Sequence, residues 1–159
     1  MVNVLDKVQP KNKEQLKSLI DYAFKHNIYD LNFIDTSEIT DMSNLFMNCE
    51  YDIDVSSWDV SNVTNMSGMF YNCEKFNCDL SNWDVSNVTN TAGMFYFCKN
   101  FDCDLSRWNV SNVKYMYLMF HNCKKFNSDM SNWNVTKAKS TLNMFAGCDK
   151  MTIPNWYKK

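Results

Sequence analysis

The sequence predicts an α/β solenoid in which each repeat of about 25 residues supplies one short parallel strand and one short helix. Three observations predict it. The stretch "WDVSNVTNMSGMFYNC" from Trp58 returns as "WDVSNVTNTAGMFYFC" at Trp83, "WNVSNVKYMYLMFHNC" at Trp108 and "WNVTKAKSTLNMFAGC" at Trp133. Within a copy, Met66, Met69, Phe70 and Cys73 fall at i, i+3, i+4 and i+7, the spacing of one helical face. Ahead of each Trp, as in "FNCDLSNW", Phe76, Cys78 and Leu80 alternate with polar residues, the pattern of a half-buried strand.

Each element follows in chain order. Leu16, Leu19, Ile20, Ala23 and Phe24 form an apolar stripe on a helix expected from about Asn12 to Lys25, read as a cap over the first coil. An earlier copy, "IDTSEITDMSNLFMNC" from Ile34, lacks the Trp and is followed by a one-residue deletion. With it there are five copies, the outer two degenerate, as terminal repeats facing solvent tend to be. Thr64 or Asn65 is a natural N-cap for the helix of the second copy. One strand and one helix cannot shelter their own apolar faces, so the copies are expected to stack around a shared core. Pro154 and Trp156 are read as closing the far end. The expected organisation is therefore a capping helix and lead-in over 1–33, the repeats over 34–150 and a C-terminal cap over 151–159.

"IDTSEITDMSNLF" followed by "SWDVSNVTNMSGMF" resembles the BspA-like leucine-rich repeat proteins, bacterial surface-protein repeats of about 25 residues also described as DUF285. The resemblance spans roughly Ile34 to Met151, and "KNKEQLKSLIDYAF" is similar to the helix that often precedes such repeats. It implies a right-handed, leucine-rich-repeat-like solenoid. For some exported members it also implies a cell-surface adhesin that binds host extracellular proteins.

Composition bounds the function. An apolar content of 45% indicates a folded chain, and a net charge of −2 with no basic stripe argues against nucleic acid as a partner. No run approaches the roughly 18 apolar residues of a membrane span. The first twenty residues lack the apolar run of a signal peptide, so the chain as written reads as cytoplasmic and soluble. Cys49, Cys73, Cys98, Cys123 and Cys148 share one repeat position, and the total of seven is odd. They are read as small, reduced core residues rather than a disulfide framework. Zinc is the alternative, although there is no C-x2-C pair. No metal or other cofactor is expected.

Two sets of residues are candidate binding sites. Asp54, Asp79, Asp104 and Asp129 hold one position in four successive copies, with Ser56, Ser81, Ser106 and Ser131 two places on. Carboxylates about 5 Å apart repel by about 0.8 kcal/mol even at the dielectric of water, so something must offset the repulsion. Either each Asp accepts local Ser or backbone donors in a turn, or a cation or basic partner lies along the row. Paired carboxylates at this spacing also suit a retaining glycosidase, but that chemistry needs two unlike environments and repetition makes these alike. The second set marks where the repeat is broken. Asn65, Ser67 and Tyr71 become Tyr115, Tyr117 and His121 two copies on, and Tyr96 shares the row of Tyr71 and His121. Exposed aromatics beside polar residues suit a protein interface, though stacking of Tyr71, Tyr96 and His121 on one another is the other reading. Lysines gather towards both ends, Lys7 to Lys25 and Lys137 to Lys159, a pattern that either keeps the caps soluble or steers a partner. The expected function is a non-catalytic protein–protein interaction module. A surface adhesin is the alternative, and a glycan-binding or hydrolytic protein comes after it.

Overall fold

The computed structural model describes residues 7–158; residues 1–6 and Lys159, which the outer segments 1–33 and 151–159 include, lie outside the described residues. One helix is present, α1 (Lys13–Lys25). Asn12 starts it in extended backbone, its side chain accepting from the Gln15 N–H, while Gln15 Oε1 accepts from the Lys11 N–H at 2.8 Å. The first bond satisfies a donor that the helix start leaves open, and the second ties the incoming chain to the first turn. The helix ends where Asn27 turns left-handed at φ 58°. Leu16, Ile20 and Ala23 are its buried face, and Lys13 Nζ reaches Ser43 Oγ in the first copy at 2.6 Å.

The expectation of an α/β, leucine-rich-repeat-like solenoid, with a strand and a helix in every copy, is overturned. Among the described residues α1 is the only helix, no strand forms, and pairing is limited to six isolated parallel bridges. The helix fails for a backbone reason. Gly68 and Asn72 take φ of +63° and +58°, which an α-helix does not tolerate. The same two positions are left-handed in every copy, at Asn44 and Asn48, Gly93 and Phe97, Leu118 and Asn122, and Asn143 and Gly147. Two successive tight turns result, closed by the Met69 N–H on the Met66 carbonyl and the Cys73 N–H on the Phe70 carbonyl. Met66, Met69, Phe70 and Cys73 are still all buried, because two such turns return the same positions inward.

The strand fails because side chains take the place of a ladder. Phe76, Cys78 and Leu80 do alternate with exposed neighbours. However, the Leu80 N–H donates to Cys103 Sγ at 3.1 Å, and the Leu105 N–H to Ser128 Oγ at 2.9 Å. A thiol or hydroxyl thus stands between adjacent backbones where a sheet would place a carbonyl.

Successive copies are joined in chain order by backbone bonds through their turn segments. The N–H groups of Met66, Gly68, Phe70 and Asn72 donate to the carbonyls of Asn90, Ala92, Met94 and Tyr96 at 2.6–2.9 Å. The next copy repeats the pattern from Thr91, Gly93, Phe95 and Phe97. A second tie runs the opposite way, each Trp Nε1 donating to a carbonyl of the preceding copy. Trp83 reaches Val55, Trp108 reaches Leu80 and Trp133 reaches Leu105. Trp156 continues this column by donating to the Met130 carbonyl at 2.7 Å. Inside, Phe46, Phe70, Phe95, Phe120 and Phe145 stack at centroid spacings of 5.5–5.9 Å, and Phe76, Phe101 and Phe126 form a parallel column. Burying each such ring contributes about 1.5–3 kcal/mol, so neighbouring copies supply one another's core.

Candidate functional site

The acidic row lies on one face, and each member is engaged by its own turn. The N–H of Ser56, Ser81, Ser106 and Ser131 donates at 2.9 Å to Oδ1 of Asp54, Asp79, Asp104 and Asp129 respectively. The next copy adds a donor to three of them: Cys78 Sγ to Asp54, Cys103 Sγ to Asp79 and Ser128 Oγ to Asp104. Together these bonds hold the Asp54 carboxyl down at about 2, the Ser56 backbone N–H contributing most. The other three are also lowered, again chiefly by the serine N–H, against a smaller opposing effect of a neighbouring carboxylate on Asp79 and Asp129. Local donors therefore outweigh the repulsion along the row. Three shallow clefts of about 350, 430 and 440 Å³ follow this face, and Arg107 is the cation among their lining residues. Ser106 lines the last of them beside Asp104 and Asp129.

The four carboxyls share one kind of environment and shift in one direction. A general acid needs a carboxyl raised towards neutrality beside a partner that is not. None of the four is raised. What the row does offer is a line of negative charge.

The aromatic candidates divide into two groups. Tyr71 and Tyr96 stack at 4.4 Å, and Tyr96 and His121 at 5.0 Å, as half-buried members of one column. His121 Nδ1 is buried without a hydrogen-bond partner among the described residues. Tyr115 and Tyr117 stand apart from that column, 39% and 42% exposed. Lys139 Nζ sits 6.0 Å from the centre of the Tyr115 ring. Sequence reasoning missed Leu142, which occupies the Tyr117 position one copy on and is 66% exposed. It singled out Leu118 as an outward-facing replacement of Gly68, but missed that Phe97 and Leu118 hold left-handed backbone at positions given to Gly or Asn elsewhere. The sequence did carry that signal, as Gly or Asn recurring four residues apart in the other copies.

The cysteines are all free. They are more than apolar filler. Cys73, Cys98, Cys123 and Cys148 each donate Sγ–H at 2.8–3.0 Å to the carbonyl of Phe46, Phe70, Phe95 and Phe120, linking each copy to the one before. Burial pushes the Cys73 and Cys78 thiols up to about 12, and Cys103 and Cys148 to about 11, away from the reactive thiolate. Among the described residues, no group of three or more His, Cys, Asp or Glu is placed to hold a metal ion.

The stacked, turn-built copies define a repeat protein of one family. A family model described as "Mycoplasma protein of unknown function, DUF285" matches residues 14–105 and again 40–156, and the chain belongs to that family. The two matches overlap, as copies in register allow. No curated protein and no solved structure matches the chain. Among the described residues, no helix is long and apolar enough to cross a membrane.

Proposed function

We propose that this protein is a non-catalytic protein–protein interaction module that contacts its partner through the surface bearing Tyr115 and Tyr117, with Leu142 beside them. The observation that carries the reading is the change along the repeat. The positions that hold Asn65 and Ser67 in the second copy hold exposed tyrosines in the fourth, and nothing in the stacking of the copies calls for rings there. Large aromatic side chains at the centre of a patch are what protein interfaces favour. The acidic face is a secondary contact in this reading, because its carboxylates already serve their own turns. Seven free thiols fit work in a reducing compartment.

The resemblance of the recurring "WDVSNVTN" segment to BspA-like surface-protein repeats would favour a second reading in which the partner is a host extracellular protein. Affinity capture from lysate, with wild type beside a Tyr115→Ser/Tyr117→Ser variant, separates the outcomes. A discrete protein recovered by wild type and lost with the variant is the expected result. Equal recovery overturns the assignment of the patch, and selective binding of immobilised matrix proteins moves the protein to the second reading. Turnover of glycan or ester substrates, abolished by Asp79→Asn or Asp104→Asn, would remove the non-catalytic assignment.

A further inference from the structure

The inner copies and the last copy differ in one respect that points to a ligand. In each of the first four copies, four N–H groups at two-residue spacing donate to carbonyls of the copy that follows; the fourth copy uses Met116, Leu118, Phe120 and Asn122. The last copy has the same four groups at Thr141, Asn143, Phe145 and Gly147, and among the described residues none has a backbone acceptor. Asn143 and Gly147 keep the left-handed backbone of the row, at φ 53° and 76°, so the donors retain the conformation they have in the paired copies. Beside this row is a groove of about 480 Å³, walled on its far side by Ile153, Tyr157 and Lys158. Ile153 is 40% exposed.

We propose that this end is a docking site for a polypeptide segment of the repeat's own kind, supplied by another repeat-bearing chain. Its backbone would lie along the last copy as a following coil does. Three features select this occupant. The edge presents donors, so the ligand must present acceptors. The donors fall at every second residue, and the inner copies show that the carbonyls of an "NMSGMFY"-type segment fit that spacing at 2.6–2.9 Å. The groove wall is apolar at Ile153 and Tyr157, which suits the side chains such a segment carries. A folded second copy docked head to tail is a poorer fit. Its matching free carbonyls, at Asp41, Ser43, Leu45 and Met47, belong to the first copy, over which α1 packs, with Lys13 bonded to Ser43. Main-chain pairing would supply affinity and the groove would select side chains, as in other cases of backbone addition at an open edge.

The test uses the full chain and a capped peptide with the sequence of residues 62–72, "NVTNMSGMFYN", followed by amide hydrogen exchange. Saturating peptide is expected to slow exchange at Asn143, Phe145 and Gly147 by roughly tenfold or more, whereas a scrambled peptide leaves these amides unchanged. Ile153→Glu is expected to weaken peptide binding while the exchange of inner-copy amides stays as in wild type. No binding at concentrations on the order of a millimolar, protection that maps elsewhere, or equal protection by the scrambled peptide overturns the proposal. The Tyr115→Ser/Tyr117→Ser variant is expected to bind the peptide like wild type, so the edge and the aromatic patch stand or fall separately.

Discussion

The acidic face and the aromatic face are built on the same coils and obey opposite rules. On the acidic face the residue is the same from copy to copy, and each carboxylate is claimed by a serine N–H two residues on. On the aromatic face the residue changes from copy to copy, from Asn65 to Tyr115 and from Ser67 to Tyr117, and the tyrosines that result are exposed. Repetition here marks what the stack requires. Departure marks what it does not. Substitutions on the acidic face should therefore register in stability, and those on the aromatic face in binding.

Acid gives the largest expected effect, because it strikes every copy at once. The Asp54 carboxyl lies near 2 in the folded chain, and Asp79, Asp104 and Asp129 are also below the ordinary value of about 3.9. A carboxyl lowered by folding contributes stability that is complete above its unfolded value and is lost as pH falls through the folded one. Thermal stability is expected to be level above about pH 5 and to fall steeply between about pH 4 and 2. A melting temperature that holds through that window would show that the turns do not need their charge, and would break the comparison.

Trp108→Phe comes next. It keeps an aromatic ring in the core but removes one of the two donors to the Leu80 carbonyl, which retains only the Trp83 N–H. A loss of about 1–2 kcal/mol is expected from urea unfolding, through the lost hydrogen bond and the smaller ring. Tyr117→Ser, on the other face, is expected to stay within about 0.5 kcal/mol of wild type. Similar costs for the two would mean that repetition carries no structural information.

The same contrast explains what the sequence disclosed. The 25-residue register made the buried columns legible, from Met66, Met69, Phe70 and Cys73 to the tryptophans, because burial depends on which residues recur together. Secondary structure was not legible by that route. Over eight residues, the i, i+3, i+4, i+7 pattern is produced equally by a short helix and by two successive tight turns. The deciding residues were Gly68 and Asn72, polar-face positions that periodicity ignores and that backbone conformation depends on. Cys78, Cys103 and Ser128 misled in a similar way. They alternate as strand residues do, yet their Sγ and Oγ atoms occupy the place of a paired backbone. On the acidic face, the Asp and Ser spacing did disclose the turns. On the aromatic face, Tyr115 and Tyr117 stood out only because they broke the pattern, and Leu142 was hidden in a copy already worn.

Leu118 offers the finest test, since it belongs to both rules. Its position requires left-handed backbone, φ 58°, and the other four copies meet that need with Asn44, Gly68, Gly93 and Asn143. A leucine there carries a conformational cost of about 1–2 kcal/mol that glycine avoids, partly offset by glycine's greater freedom when unfolded. Leu118→Gly is therefore expected to stabilise the fold by about 0.5–1 kcal/mol in urea unfolding. Its side chain, half-buried beside Tyr117, would at the same time be lost from the patch. A variant that is more stable and captures less partner would show that the fourth copy gives up backbone comfort for its surface. A variant that is less stable would assign Leu118 to packing and move it from the aromatic face to the structural one.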